Sequence, residues 1–337
     1  MFSQIKPVEQ VSSCSADNIP ASILSSTQPI ILKGLVKHWP IVCAANESNE
    51  SAVNYLQQFY QGMPVGAGFG ESKDNGRLFY NDDLSGFNFD RKTIALDTFL
   101  TELLQPVQQP TAAKYVGSTD INKLLPSFRE HNDLSALSEF KPLASIWLSN
   151  RSRIAAHHDT PNNIACCVAG KRRFTLFPPE EVKNLYIGPL DHTPAGQAIS
   201  LVDFYEPDFE RFPKFEQALA NAQVAELEPG DCLFLPSMWW HHVEGLDNFN
   251  ILINYWWQTT NLQMGAGMDA LYHALLNIKD LPEQQKLAWQ AMFEHYIFNV
   301  DENTLDHIPE DKLGILDSNS DMAARKIRAM LLNKLNR

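Results

Sequence analysis

Between about residues 141 and 258 the chain passes through short segments rich in β-branched and aromatic residues: ASIWLS, IAAHHD, IACCVAG, RRFTLFPP, AELEPGDCLFLP, HHVEGL and NILINYWWQ. Gly, Pro or polar turn residues separate them. Frequent short strands with turn signals between them predict an antiparallel sandwich or closed barrel and argue against alternating βαβ units. A stretch from about 180 to 222, rich in Pro, Asp and aromatics, is expected to be an elaborated loop or lid inserted between strands.

The flanks read differently. QPIILKGLVKHWP offers a short apolar strand at Pro29–Leu32 closed by Gly34, SAVNYLQQFY has near-helical spacing, and RLFYND (77 to 82) reads as a strand. TIALDTFLTELL (93 to 104) has the period of an amphipathic helix ending before Pro106. After Gln258 the pattern turns helical in MDALYHALLNI and EQQKLAWQAMFEHYIF, and a last helix is expected from the cap candidate Ser320. The 337 residues thus divide into a mixed α/β segment packing on the core (1–140), a β-rich core (141–260) and a helical region (261–337).

Composition narrows the function classes. Hydrophobic residues at 44% and charged residues at 20% are enough for a sizeable core. A net charge of −13, with Lys and Arg thinly spread, offers no basic stripe for a phosphate backbone, so no direct nucleic-acid partner is expected. The five cysteines, at 14, 43, 166, 167 and 232, form neither a CxxC pair nor a regular framework and read as reduced thiols. MFSQIKPVEQ lacks the pattern of a signal peptide, and no run of about 18 apolar residues occurs. A cytoplasmic protein with no membrane partner is expected.

The chemistry is carried by IAAHHDT. On a strand, His157 and Asp159 share one face and His158 takes the other. An imidazole and a carboxylate on one face need one further imidazole to make a 2-His-1-carboxylate triad, which leaves open positions on Fe(II). In PGDCLFLPSMWWHHVEGL a turn and a buried strand lead to His241 and His242, which face opposite ways, so only one of them reaches the metal.

HHDTPNNIACCVAGKRRFTLFPP, VDFYEPDFERFP and EPGDCLFLPSMWWHHVEGL, in that order, resemble segments of the JmjC, cupin-like oxygenases, among them the asparaginyl hydroxylase that acts on hypoxia-inducible factor. The resemblance covers roughly residues 141 to 258, with weaker echoes at QPIILKGLVKHWP and RLFYNDDLSGFNF. It implies a mainly β fold, a double-stranded β-helix (jelly-roll) with C-terminal helices, and an Fe(II)- and 2-oxoglutarate-dependent dioxygenase that consumes dioxygen. Carried over by position, the metal ligands fall on His157, Asp159 and His241. The basic anchor for the distal carboxylate of 2-oxoglutarate falls on Arg172, where near relatives carry Lys. Tyr80, Asn163 and Asn254 match co-substrate positions, and Trp256 matches an aromatic beside the metal. A family Thr three residues before the first ligand is here Ile154.

A protein or peptide side chain is the expected substrate, with hydroxylation preferred to demethylation because the chain is acidic and shows no reader or zinc-finger segment. Two rivals stand beside this reading. One is a cupin metalloenzyme that uses no keto acid; it would not need Arg172 and Tyr80. The other is a non-catalytic metal-binding module. The amphipathic segments at Leu271–Leu276 and Ala288–Phe298 predict a homodimer built on the C-terminal region.

Overall fold

In the computed structural model, residues 5–106, 109–194, 196–259, 266–317 and 320–336 are described. Two compact units appear, Met1–Gln258 and Thr259–Arg337. Residues 1–4 of the expected N-terminal segment, 195 of the insert, 260 of the core and 261–265 of the helical region lie outside the described residues.

The first half of the first unit carries β1 (Lys6–Pro7), β2 (Glu9–Val11), β3 (Ile30–Leu32), β4 (Pro64–Gly70), β5 (Arg77–Leu78), β6 (Phe89–Ala95) and β7 (Lys114–Asp120). Then follow β8 (Leu143–Ser149), β9 (Ser152–His158), β10 (Asn162–Ala169), β11 (Arg172–Phe177), β12 (Gln223–Leu227), β13 (Cys232–Leu235), β14 (Trp240–Gly245) and β15 (Asn250–Trp257). One sheet has the order β1-β12-β11-β14-β9-β5 and the other β2-β3-β13-β10-β15-β8-β7-β4-β6. The eight strands β8 to β15 thus divide four and four between facing antiparallel sheets. That is the expected jelly-roll, mainly β with helical additions. Seven strands from before residue 140 widen both sheets, so this segment is continuous with the core as well as packed on it.

Period-2 alternation explains the layers. Ala165, Cys167, Phe174, Leu176, Leu233, Leu235 and Leu252 point between the sheets and form one buried cluster. Ile146, Leu148, Ile164, Cys166, Phe234, Ile253 and Tyr255, on the opposite face of the larger sheet, are buried under Ile41, Val42, Leu56, Phe99 and Leu100. Those residues lie on helices α1 (Pro40–Glu47), α2 (Asn49–Gln57) and α3 (Leu96–Leu103). The insert lays Leu185, Val202, Phe204 and Phe215 over Ala156, Phe177 and Trp240 on the outside of the smaller sheet. Complete burial of such side chains is worth roughly 1.5–3 kcal/mol each, so the helices and the insert are bound into the barrel rather than appended to it.

The PGD turn has a local cause. Gly230 has φ +98°, a conformation that suits glycine. The Asp231 carboxylate accepts from the Gly34 and Glu228 amides at 2.9 and 3.0 Å and from Lys33 at 2.5 Å, fastening β13 to β3. All five cysteines are free thiols. Two expectations are corrected. Thr93–Ala95 belongs to strand β6, which pairs with β4, and only from Leu96 does the helix begin. RLFYND forms a strand only at Arg77–Leu78, after which Tyr80 makes an isolated bridge to Phe87.

The second unit is helical: α4 (Gly267–Asn277), α5 (Glu283–Phe293) running into a wide turn at Glu294–Phe298, and α6 (Asp321–Leu335), whose N-cap Ser320 accepts from the Ala323 amide. Among the described residues no helix is long and apolar enough to cross a membrane.

Candidate metal centre

Strands β9 and β14 place His157 directly opposite His241, their Cα atoms being register partners. Asp159 follows the end of β9, where its carbonyl accepts from the Met238 amide at 2.9 Å. Met238 itself sits at φ +69°, an unusual conformation for a residue with a side chain. The turn before β14 and the end of β9 are thereby tied together, and one ligand atom from each of His157, Asp159 and His241 lies within 4.8 Å of the others. Among the described residues this is the one such cluster.

Tautomers follow from the backbone. His157 Nδ1 is 2.9 Å from the Ala155 carbonyl and His241 Nδ1 is 3.0 Å from the Trp239 carbonyl. A carbonyl only accepts, so each Nδ1 carries the proton and each Nε2 keeps its lone pair for the cluster. Burial, then the neighbouring His157, push the His241 imidazole down to about 4, so it is neutral at physiological pH, as a ligand must be. His158 and His242 face away, as alternation requires. His158 packs edge-on against Trp240, and His242 stacks on Phe204 with neither ring nitrogen hydrogen-bonded.

A cavity of about 830 Å³ opens onto the cluster, lined among others by Tyr115, Trp147, Ile154, His157, Asp159 and Trp256. Asn254 donates through Nδ2 to Asn163 Oδ1 at 3.3 Å and accepts from Trp147 Nε1 at 2.6 Å. Trp256 meets Trp147 edge to face at 5.7 Å, and its own indole nitrogen has no partner.

Arg172 is 3% exposed, and its Nε and Nη2 have no hydrogen-bond partner. Burial disfavours its charge, and strand alternation sets its side chain on the inner face of β11 with Phe174 and Leu176. Its neighbours are occupied outside the barrel: Lys171 reaches Glu228 at 3.0 Å, and Arg173 reaches Glu226 at 2.9 Å. A buried cation with no counter-ion is costly, on the order of several kcal/mol. Arg172 does not itself line the cavity, but a buried cation without an anion suits a ligand that brings a carboxylate, and the three-residue cluster fits a divalent metal with positions to spare.

Tyr80, like Arg172, Asn163 and Asn254, is not among the residues that line the cavity: it is buried with Ala155 and Ile199, and its hydroxyl donates to the His192 carbonyl, while Leu78 lines the cavity. Tyr115 on β7 does line the cavity, and burial pushes its phenol well up while the Arg172 charge opposes the shift. Sequence reasoning passed it over because KYVGSTD lies outside the recognised motifs; its only signal was period-2 alternation next to a turn.

A jelly-roll that gathers a His-x-Asp and a distant His into one cluster has the fold and the candidate metal site of a cupin-type protein. The Cupin-like domain profile matches residues 16–263, and the chain belongs to that family. It is 29% identical over 153 residues to Lysine-specific demethylase JMJ31 of Arabidopsis thaliana, which covers 44% of this chain and 27% of the relative. It is 23% identical over 237 residues to Lysine-specific demethylase 8 of Xenopus tropicalis (68% and 48%), and 26% identical over 251 residues to human HSPB1-associated protein 1 (69% and 48%). The chain thus spans about a quarter to about half the length of these relatives. Among solved structures, the X-ray structure of E. coli ycfD aligns at 13% identity and a TM-score of 0.42 over 95% of this chain and 68% of that one.

Proposed function

We propose that this protein is an Fe(II)- and 2-oxoglutarate-dependent oxygenase that hydroxylates an amino-acid side chain in a protein or peptide. The observation that carries the reading is Arg172: a buried, unpartnered guanidinium in the same barrel as a His157, Asp159, His241 cluster. A metal-only cupin has no use for that charge, whereas a dicarboxylate co-substrate supplies its missing partner.

In this reading His157, Asp159 and His241 hold the metal from one side. Arg172 takes the distal carboxylate through two hydrogen bonds, Tyr115 adds a third, and Asn163, held by Asn254, orients the metal-proximal end. Trp256 and Trp147 wall the cavity and keep water from the reacting groups. When bound, iron, 2-oxoglutarate and dioxygen supply oxidation of a substrate C–H bond, coupled to release of carbon dioxide and succinate. The remainder of the cavity, with Phe87, Phe89, Asp191 and His192, receives the substrate side chain. Two relatives bear the name lysine-specific demethylase, and oxidation of a methyl group is the second reading those names favour.

The test is succinate formation by the iron-loaded chain with 2-oxoglutarate, together with mass spectrometry of host proteins after incubation. Gain of one oxygen supports hydroxylation, and loss of a methyl group supports the second reading. Oxygen uptake with no keto-acid requirement would refute both.

We further propose residues 141–260 as the catalytic core, residues 261–337 as a homodimerisation region, and a cytoplasmic setting in which the free thiols stay reduced. Among the described residues of the helical unit only Ala323 is buried, while Leu276, Ile297, Phe298 and Leu332 are 61–73% exposed. Helices without a core of their own gain stability by burying such faces against a second copy. Light scattering at micromolar concentration is expected to give twice the chain mass; a monomer would remove the idea.

A further inference from the structure

We infer that Trp147 is a positioning residue: its indole sets the polarity of the Asn254–Asn163 amide pair, so that Asn163 meets the co-substrate as a hydrogen-bond donor. The inference rests on the oxygenase reading and concerns a residue that no motif singled out.

The hydrogen-bond directions here are forced. Trp147 on β8 and Asn254 on β15 lie on the inner face of the larger sheet, Trp147 opposite Leu252 and Asn254 opposite Ser145. Asn254 is 1% exposed and Asn163 6% exposed, so each amide must be satisfied by protein or ligand. Amides are ambiguous by themselves, because oxygen and nitrogen are nearly alike in shape. An indole N–H is not ambiguous, since it donates and cannot accept. The 2.6 Å contact from Trp147 Nε1 therefore requires Oδ1 of Asn254 on that side.

With Oδ1 committed, Nδ2 of Asn254 must face Asn163, and at 3.3 Å it requires Oδ1 of Asn163 in return. Asn163 is left with its Nδ2, which has no hydrogen-bond partner among the described residues. One donor-only group thus turns two pliable amides into a directed chain that ends in a free N–H. A free N–H suits a carboxylate ligand and is useless as a metal ligand. The Trp147 ring is itself held in place, edge to face with Trp256 at 5.7 Å and against Tyr115 at 6.2 Å. Without the indole N–H, either amide could reverse, and Asn163 would then turn a lone pair toward an anion.

Trp147→Phe removes the N–H and keeps an aromatic ring. In the Mn(II)-loaded full chain, titrated with 2-oxoglutarate by calorimetry, this variant is expected to bind the co-substrate about five- to tenfold more weakly, the effect of one misdirected hydrogen bond. Mn(II) affinity should be unchanged, which separates repositioning from loss of the fold. Asn254→Asp keeps the oxygen facing Trp147 but replaces Nδ2 with a second acceptor, breaking the chain at its next link. It should weaken 2-oxoglutarate as well, and the double variant should be less than additive. The side-chain amide NMR signals of Asn163 and Asn254, each assigned by its loss in the Asp variant, should shift or broaden in Trp147→Phe without any ligand present. If Trp147→Phe binds 2-oxoglutarate within about twofold of wild type and leaves those amide signals in place, the positioning role is wrong while the oxygenase reading stands. If wild type itself does not bind 2-oxoglutarate, both are wrong.

Discussion

Replacing Arg172 with Met should make the unliganded protein more stable and the co-substrate complex much weaker, two effects of opposite sign from one change. The side chain is 3% exposed, and its Nε and Nη2 have no partner. Methionine has similar length and no charge to desolvate. Replacing even a buried ion pair with apolar side chains of similar volume is often neutral or stabilising by roughly 1–4 kcal/mol, and a lone buried charge has no pairing energy to lose. For a unit of this size each kcal/mol corresponds to about 2–4 °C in Tm, so a rise of several degrees is expected in the metal-free protein.

Binding should move the other way. Two charge-assisted hydrogen bonds at about 1.5–3 kcal/mol each amount to a loss of roughly 3–6 kcal/mol, or about two to four orders of magnitude in the affinity for 2-oxoglutarate. Arg172→Lys restores a point charge without the fork and should fall between, within about tenfold to a hundredfold of wild type. Thermal denaturation and calorimetric titration check the two arms separately. A destabilised Arg172→Met that still binds 2-oxoglutarate normally would mean that the guanidinium is structural, and the functional assignment built on it would fail.

Tyr115→Phe should weaken 2-oxoglutarate by about tenfold, the worth of one hydrogen bond to a charged group, whereas Tyr80→Phe should leave that affinity unaltered; the reverse order in a titration would restore the original expectation. His157→Ala and Asp159→Ala should each abolish stoichiometric Fe(II) binding at micromolar metal, measured by calorimetry under nitrogen, and succinate formation with it. His241 and His242 have folded-state values pushed by burial to about 4 and about 3, below an unfolded value of 6.5. The unfolded chain therefore binds more protons in that window, and stability of the metal-free protein should fall as pH drops from about 6.5 toward 4, by at most about 1.4 kcal/mol per pH unit for each group. His242→Phe, which replaces an unpartnered ring already stacked on Phe204, should flatten that slope in urea melts. Gly170→Ala adds a Cβ that would collide with the Phe249 carbonyl and the Asn250 side chain, at φ +69°; a loss of at least about 2 kcal/mol in denaturant unfolding is expected.

Much of this molecule is local and therefore legible in the chain itself. The seven expected segments from ASIWLS to NILINYWWQ fall on β8 to β15, AELEPGDCLFLP holding β13 and most of β12, because alternation and turn residues act over a few positions and the barrel repeats that rule eight times. The same alternation places His157 and Asp159 on one side, turns His158 and His242 outward, and separates Arg172 from Lys171 and Arg173. It could not decide what each face would meet. Tyr80 was assigned by its neighbourhood in RLFYND, yet β5 lasts two residues, and the chain then turns so that this ring packs under the insert. Tyr115 carries no motif and comes to line the cavity only because β7 pairs with β8 and so extends the larger sheet. The burial of Arg172, the hydrogen that His157 and His241 each give to a carbonyl, and the one-way amide chain from Trp147 are likewise products of tertiary structure. Side-chain direction along a strand is set by neighbours in sequence; partners, solvent exclusion and the polarity of a hydrogen-bond network depend on strands far apart in the chain, brought together by register and closure.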